Sequence, residues 1–314
     1  MTLEQLRIFL AVAEREHVTS AARALNISQS AASAAIAALE TRHGVHLFHR
    51  VGRGIALTDA GRAFAEEARG VLARARAAET VLDELGGLRR GTLRLVASQT
   101  IAAYWLPPLL ARYRAAYPDI AVELAIGNTE MAAAQVHEGV AELGIVEGDI
   151  DDAALAHWRI GEDRLLLVGA EPVAQIDAAW LGDARWVLRE PGSGTRAALE
   201  TALRKRRIDP EALDIALTLP SNESVRTAVE AGAGVAALSE LVVAPAIAAG
   251  ILHALPCDIG ARAFHGVRHK ERYRSAAADA LLELIGEVSV QPIASCTSRS
   301  AIHAGSSNTA NLSG

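Results

Sequence analysis

The chain has 314 residues, 51% hydrophobic and only 4% aromatic, enough for two or three domains with small, aliphatic cores. No apolar run approaches the roughly 18 residues needed to span a bilayer, and acids inside the first apolar pattern exclude a secretory signal, so the cytoplasm is the expected location, with no membrane partner. The net charge of −6 is uneven: residues 1–90 hold 12 Arg against 10 Asp and Glu, a balance of +2, and the remainder carries −8, which assigns any nucleic-acid role to the N-terminal part.

Leu3, Leu6, Phe9, Leu10 and Ala13 fall at helical spacing and predict an amphipathic helix over 3–16. Thr19 predicts the cap of a second helix, Ser20 to Leu25, and Asn26 a tight left-handed turn. Ser28 predicts the cap of a third helix running to Arg42, buried through Ala32, Ile36 and Leu39 and ended by Gly44. That helix exposes Gln29, Ser30 and Ser33 near its N-terminal end, where a helix-turn-helix reaches base edges and phosphates. Two short apolar strands follow, around a tip with Arg50, Gly52, Arg53 and Gly54; this reads as a wing whose arginines meet phosphates or the minor groove. His43, His46 and His49 are spaced by three, but Gly44 breaks any shared helical face and no Cys or carboxylate joins them at ligand spacing, so no metal site is expected.

From Asp59 to Gly87 a long helix is expected, with Phe64, Ala68, Val71, Ala75, Ala78, Leu82 and Leu85 alternating at spacings of four and three. A narrow heptad seam of this kind predicts a dimer contact, the other reading being an amphipathic helix packed on its own domain. A two-fold reader would span the two half-sites of an inverted repeat in double-stranded DNA. Gly86-Gly87 and Arg89 to Gly91 predict a hinge.

Beyond the hinge, strands alternate with helices. The strands are read at 92–97, 120–126, 142–146, 164–168, 185–189, 215–219 and 232–238, and imply a parallel sheet with right-handed crossovers. Two units are expected: a first lobe at about 91–162 and 267–290, and a second at about 163–266. Four strand ends run into small polar residues at helix N-termini, at Ser98-Gln99-Thr100, Gly127-Asn128-Thr129, Pro191 to Thr195 and Ser221 to Ser224. Free amides and the helix dipole there favour anions, and ligands of open α/β sheets bind outside such ends. Simple capping accounts for any one of them; four converging on one cleft make a site for a small anionic molecule. Gly192 to Thr195 lacks the Lys and the spacing of a nucleotide-binding loop, and no nucleophile–base pair is legible, so neither an enzyme nor a cofactor is expected. Cys257 and Cys296 belong to no motif and read as inert thiols, and residues 291–314 as a flexible tail.

The stretch "LRIFLAVAE…VTSAARALNISQSAASAAIAALE…GVHLFHR…G…LTDAGR" resembles the LysR-type transcriptional regulators over residues 1–62. The resemblance implies a winged helix-turn-helix at 1–62, a linker helix at 59–87 and, at 91–290, a two-lobed α/β effector domain like that of periplasmic binding proteins. It carries DNA contact onto Thr19, Ser28, Gln29, Ser30, Ser33, Arg50 and Arg53. One departure is Ala34 and Ala35, where many members place a base after the serine, so affinity must lean on the wing and on dimerisation. "VASQTIAAYWLPPLLARYRAAYPDI" and "REPGSGTR" are most similar to regulators of sulfur assimilation and carbon dioxide fixation. They carry effector contact onto Ser98, Gln99, Thr100, Asn128, Thr129, Ser193 and Thr195, with Glu147 or Glu190 meeting an ammonium group if the effector is an amino-acid derivative, or else capping or pairing locally. The expected function is transcriptional regulation by a homo-oligomer, dimer or tetramer, that binds promoter DNA and a small effector and engages RNA polymerase. A solute receptor without a transcriptional role is the alternative.

Overall fold

The computed structural model describes residues 1–52, 54–85, 91–148 and 150–289. Arg53, the 86–90 hinge, Cys296, the 291–314 tail and the side chain of Leu85 lie outside the described residues.

Three helices, α1 (Leu3–Arg15), α2 (Val18–Ala24) and α3 (Gln29–His43), precede a hairpin of β1 (Phe48–Val51) and β2 (Gly54–Leu57). Thr2 opens α1 through a reciprocal cap with Gln5. The second helix starts earlier than expected: His17, not Thr19, is its cap, with Nδ1 accepting from the Ser20 amide at 3.2 Å. An imidazole nitrogen can satisfy that orphan amide as a hydroxyl would, and Thr19 falls inside the first turn. Asn26 takes the left-handed turn at φ 56°, and Ser28 caps α3 by accepting from the Ala31 amide at 3.1 Å. Phe9 fills the centre of this unit, with its ring 5.4 Å from Phe48 and 4.8 Å from Phe64.

The next helix, α4 (Asp59–Leu85), starts where the Thr58 hydroxyl accepts from the Gly61 amide at 2.9 Å and donates to the His46 carbonyl at 2.8 Å. A Cβ at Gly61 would lie 2.1 Å from the Leu47 carbonyl oxygen, so no other residue lets α4 approach the wing this closely. The seven-residue seam expected along α4 is split. Phe64 and Ala68 belong to the reader's own core with Ala65 and Leu72, because the first three turns of α4 close the three-helix unit. Further along, Val71 is 41% and Leu82 70% exposed, and Ala78 is exposed with them.

The remainder builds two lobes. Its elements are β3 (Gly91–Ser98), a π-helical turn at Ile101–Trp105, α5 (Leu106–Ala116), β4 (Ile120–Gly127), α6 (Thr129–Glu138), β5 (Leu143–Glu147), β6 (Leu155–Gly169), α7 (Ala178–Asp183), β7 (Arg185–Arg189), α8 (Gly194–Lys205), β8 (Asp214–Leu219), α9 (Asn222–Glu230), β9 (Ala236–Ser239), α10 (Glu240–Ala248), β10 (His253–His269) and α11 (Ala276–Ser289). The main sheet has the order β4-β3-β5-β10-β6-β9. Only β3, β4 and β5 are parallel there; β10 runs antiparallel to β5 and β6, and β6 antiparallel to β9. The sheet is therefore mixed rather than parallel. The reason is that β6 and β10 are long strands, paired from Leu155↔His269 to Gly169↔His253, that pass through both lobes; a two-way crossing between lobes must be antiparallel. The strand expected at 164–168 is the distal part of β6.

One core lies in the first lobe around Leu95, Ile101, Tyr113, Phe264 and Leu281. The second lobe packs Leu165, Trp186 and Leu199 on one side of its sheet and Val187, Leu238 and Val242 on the other. We expect Gly61→Ala to lower stability by about 1–3 kcal/mol, the usual cost of overpacking, read as an earlier first transition in urea unfolding of the full chain; an unchanged transition would contradict the close contact with Leu47.

Candidate DNA-binding and effector sites

In the N-terminal unit, Ser28, Gln29, Ser30, Ser33 and Arg50 are all exposed, and Thr19 is half-buried. The first turn of α3 thus presents amide and hydroxyl groups with no charge among them, since Arg42 and His43 sit in its last turn. The hydroxyls of Ser28 and Ser30 lie 2.9 Å apart. Arg50 stands on β1 opposite Ile55, one step from the Gly52 turn at φ 58°. The wing is fixed to α3 by Glu40, whose Oε1 accepts from the amides of Leu47 at 2.7 Å and Phe48 at 3.3 Å. A second tie runs from the Ile55 amide to the Glu16 carbonyl at 3.3 Å. Helix and wing are therefore tied together by backbone hydrogen bonds, the arrangement by which a recognition helix and a basic hairpin meet one stretch of duplex.

Between the lobes, the eight predicted effector residues fall into two groups around a guanidinium that sequence reasoning did not single out. Arg262 lies at the middle of β10, directly across from Asp163 on β6, and both are buried. Its Nε and Nη2 donate to Asp163 Oδ2 at 3.0 and 2.7 Å, Nη1 donates to Thr195 Oγ1 at 2.8 Å, and Nη2 donates to Thr100 Oγ1 at 3.1 Å. The Glu147 carboxylate lies 3.3 Å from Nη2. Asp163 also accepts from the Ser239 hydroxyl at 2.9 Å. Burial pushes the Asp163 carboxyl up, against the pull of Arg262 and the hydrogen bond from Ser239.

A chain of polar contacts leaves Thr100 for the second lobe. Asn222 Nδ2 donates to Thr100 Oγ1 at 3.0 Å, and buried Arg189 donates to the Asn222 side chain and, through Nε and Nη2, to Glu190 at 2.7 and 2.8 Å. Burial alone would raise the Glu190 carboxyl; the hydrogen bonds and charge of Arg189 outweigh it and hold it low. Glu190 is thus a local pair, one of the two readings its sequence position allowed. Gln99 adds a further bridge, donating to the Pro220 carbonyl at 2.7 Å and accepting from the Asn222 amide at 3.1 Å.

Beside this network opens a cavity of about 400 Å³ lined by Thr129, Glu147, Gly192, Ser193, Gly194 and Arg196 among others. Three of the predicted residues line it: Thr129, Glu147 and Ser193. Ser98, Gln99, Thr100 and Thr195 lie in or beside the buried network behind it, and Asn128 spans the lobes with weak 3.4 Å contacts to Glu190 and the Pro191 carbonyl. Asn128 also caps α6, accepting from the Met131 amide at 2.9 Å. The lobes approach closely at Gly194, where a Cβ would lie 2.4 Å from the Glu147 carbonyl oxygen. Ser98 Oγ is buried with no hydrogen-bond partner among the described residues, and Glu147 Oε1, also without a hydrogen bond, has the 3.3 Å ion contact with Arg262. An unpartnered buried polar atom costs about 1–3 kcal/mol, so Ser98 Oγ is a ready partner for a ligand or water.

Residues 3–62 match the family described as bacterial regulatory helix-turn-helix protein, lysR family, and residues 86–289 match the LysR substrate binding domain. The chain belongs to the LysR family of transcriptional regulators. It is a DNA-binding transcriptional regulator with an effector-binding domain, not an enzyme. This LysR protein is 33% identical over 283 residues to the HTH-type transcriptional regulator YeiE of Escherichia coli (strain K12), covering 88% of this chain and 94% of that one. It is 32% identical over 294 residues to a probable RuBisCO transcriptional regulator of Nostoc sp., covering 90% and 87%. Full-length CbnR complexed with its target DNA has the same fold, with a TM-score of 0.65 at 21% identity over 91% of this chain and 99% of that chain. The regulatory domain of Synechocystis CcmR in complex with 2-PG matches at a TM-score of 0.56 and 23% identity, over 64% of this chain and 98% of that chain.

Sequence reasoning on this LysR protein missed Arg262, Asp163 and Arg189, and placed Asn222 at the cleft only as part of the Ser221 to Ser224 strand end. A signal for the first two existed. Arg262 has the parity of Phe264 on β10, and Asp163 that of Leu165 and Leu167 on β6, so each is a charge written into the buried face of an alternating strand. We expect Arg262→Met to destabilise the effector domain by about 3–5 kcal/mol, because it leaves two buried carboxylates without their cation. Adding Asp163→Asn should recover part of that loss in a denaturation double-mutant cycle; strictly additive costs would show that the two strands are not coupled through this pair.

Proposed function

We propose that this LysR regulator binds promoter DNA at inverted-repeat sites as a homodimer or a tetramer, that a small metabolite held between its lobes sets the state of the complex, and that it acts on RNA polymerase, in the cytoplasm at the nucleoid. DNA contact is assigned to Thr19, Ser28, Gln29, Ser30 and Ser33 in the helix-turn-helix and to Arg50 and Arg53 in the wing. The uncharged opening of α3 makes base contact a matter of Gln29 and the serines, while the arginines supply the salt-dependent term. The reader is assigned to 1–62, the linker to 59–87 and the effector domain to 91–290. Contact with a second copy is assigned to Val71, Ala75, Ala78, Leu82 and Leu85 of α4; Phe64 and Ala68 are taken up by the reader's core.

The observation that carries the effector reading is the junction of the 400 Å³ cavity with the buried Arg262 network. A small anion, or an amino-acid derivative whose ammonium group meets Glu147, would touch Thr129, Glu147 and Ser193 directly. Through Arg262 it would reach Thr100 and Thr195, which sit on opposite lobes. Ligand binding and lobe closure share the same donors, so an effector shifts the closure equilibrium by as much as it prefers one closure over another.

The test is a mobility-shift assay with the DNA upstream of the protein's own gene, with and without sulfate, acetylserines and small carboxylates. A specific shift that responds to one of them supports the reading, and no shift under any condition sinks it. Arg50→Ala should weaken binding to all sequences and lower the slope of log K against log salt by about 0.9; an unchanged slope removes Arg50 from the phosphates. Thr100→Val should leave basal DNA binding intact and weaken the response to the effector; an equal response clears Thr100 of that role.

A further inference from the structure

A second cavity, of about 60 Å³, lies where α4 rests on the first lobe, away from the interlobe cleft. Five arginines line it: Arg76 from α4, Arg94 from β3, Arg268 from the end of β10, and Arg272 and Arg274 from the turn before α11. Two carboxylates, Glu142 and Asp279, line it with them. The arginines are only partly compensated. Arg94 pairs with Glu123 at 3.1 Å, and Arg268 with Asp279 at 3.5 Å while stacking on Trp158. Arg272 donates to the carbonyls of Val136 at 2.9 Å and His137 at 2.7 Å, the open end of α6. Among the described residues no carboxylate comes within ion-pair distance of Arg76 or Arg274. The cost is visible in the guanidinium groups themselves. Burial, then Arg94 and Arg7, push Arg76 below its ordinary value against the pull of Glu79 and Glu123; burial with Arg74 does the same at Arg272, and burial with Arg274 at Arg268.

Converging guanidinium groups in a partly closed space repel one another until an anion joins them. Thr80 also lines the cavity, its hydroxyl donating to the Arg76 carbonyl at 3.1 Å. At about 10–15 Å³ per water-sized group, the space is enough for the atoms of one tetrahedral oxyanion. We propose that this cavity binds a doubly charged oxyanion — phosphate, sulfate or the phosphoryl end of a small phosphomonoester — and that its occupancy clamps α4 to the effector domain through Arg76, Arg94 and Arg274. Because α4 links the reader to the sensor, such a clamp stiffens the lever by which lobe closure moves the DNA-binding unit.

The test uses the full-length protein in thermal-shift and calorimetric titrations with inorganic phosphate, sulfate and glycerol 3-phosphate, with ionic strength held constant by chloride. We expect a saturable rise in melting temperature with phosphate or sulfate that chloride does not reproduce. Arg76→Gln and Arg274→Ala should each weaken it by about tenfold or more, as expected for loss of a charge-assisted hydrogen bond. Arg274 is exposed, so its variant keeps the fold whatever happens at Arg76. Binding of glycerol 3-phosphate as tight as that of inorganic phosphate identifies the phosphoryl group as the recognised unit; its exclusion identifies the free oxyanion. Arg185→Ala, at an exposed arginine of β7 in the second lobe, should leave the phosphate titration unchanged. The proposal is overturned by the absence of a saturable shift, by a shift that Arg76→Gln and Arg274→Ala both retain, or by one that Arg185→Ala abolishes.

Discussion

The effector domain is organised around one cation buried between two strands. Arg262 and Asp163 face each other across the β10–β6 pair at the point where the chain passes between lobes. A charge in such a place is costly without partners, and here its partners are divided between the two lobes: Thr100 belongs to one, Thr195 to the other, and Asp163 and Glu147 to the sheet that joins them. The geometry of closure is therefore set by the hydrogen-bonding appetite of one side chain. A surface latch of exposed ion pairs, each contributing at most about 1 kcal/mol, could not define it as sharply. The extension through Asn222 and Arg189 to Glu190 carries the same polar logic to the far wall of the cleft.

The reader is organised by contact rather than by charge. Its helix and wing are held together by backbone amides accepted by Glu40 and by a glycine that lets α4 press against Leu47. The first turn of α3 carries no charge, and Arg50 stands exposed on the hairpin beside it. The long α4 serves both ends. Its first turns complete the reader's core, its Arg69 meets Glu138 of the first lobe at 3.4 Å, and its apolar outer residues remain uncovered.

How much of this was legible in the residues varies with the range of the force involved. The caps at Ser28 and Asn128, the left-handed turn at Asn26 and the stop at Gly44 are local events decided within a few residues, and they appear where the sequence places them. His17 displaced Thr19 as a cap because two neighbouring side chains can satisfy the same amide, and propensity does not choose between them. The α4 seam mixed two faces because a four-three spacing of apolar residues is satisfied by a partner domain as well as by a partner chain.

The sequence alone determined the family, the winged reader, the linker helix and the polar strand ends that mark the cleft. These rest on periodicity, capping and turn chemistry, all readable within one element. Only the tertiary structure decided that the sheet is mixed, that Thr100 and Thr195 share one guanidinium, and that five arginines from α4, β3 and the chain around α11 gather at one junction. Those facts join residues up to 198 positions apart, Arg76 to Arg274, and no local pattern encodes which distant charges will be brought within reach of each other.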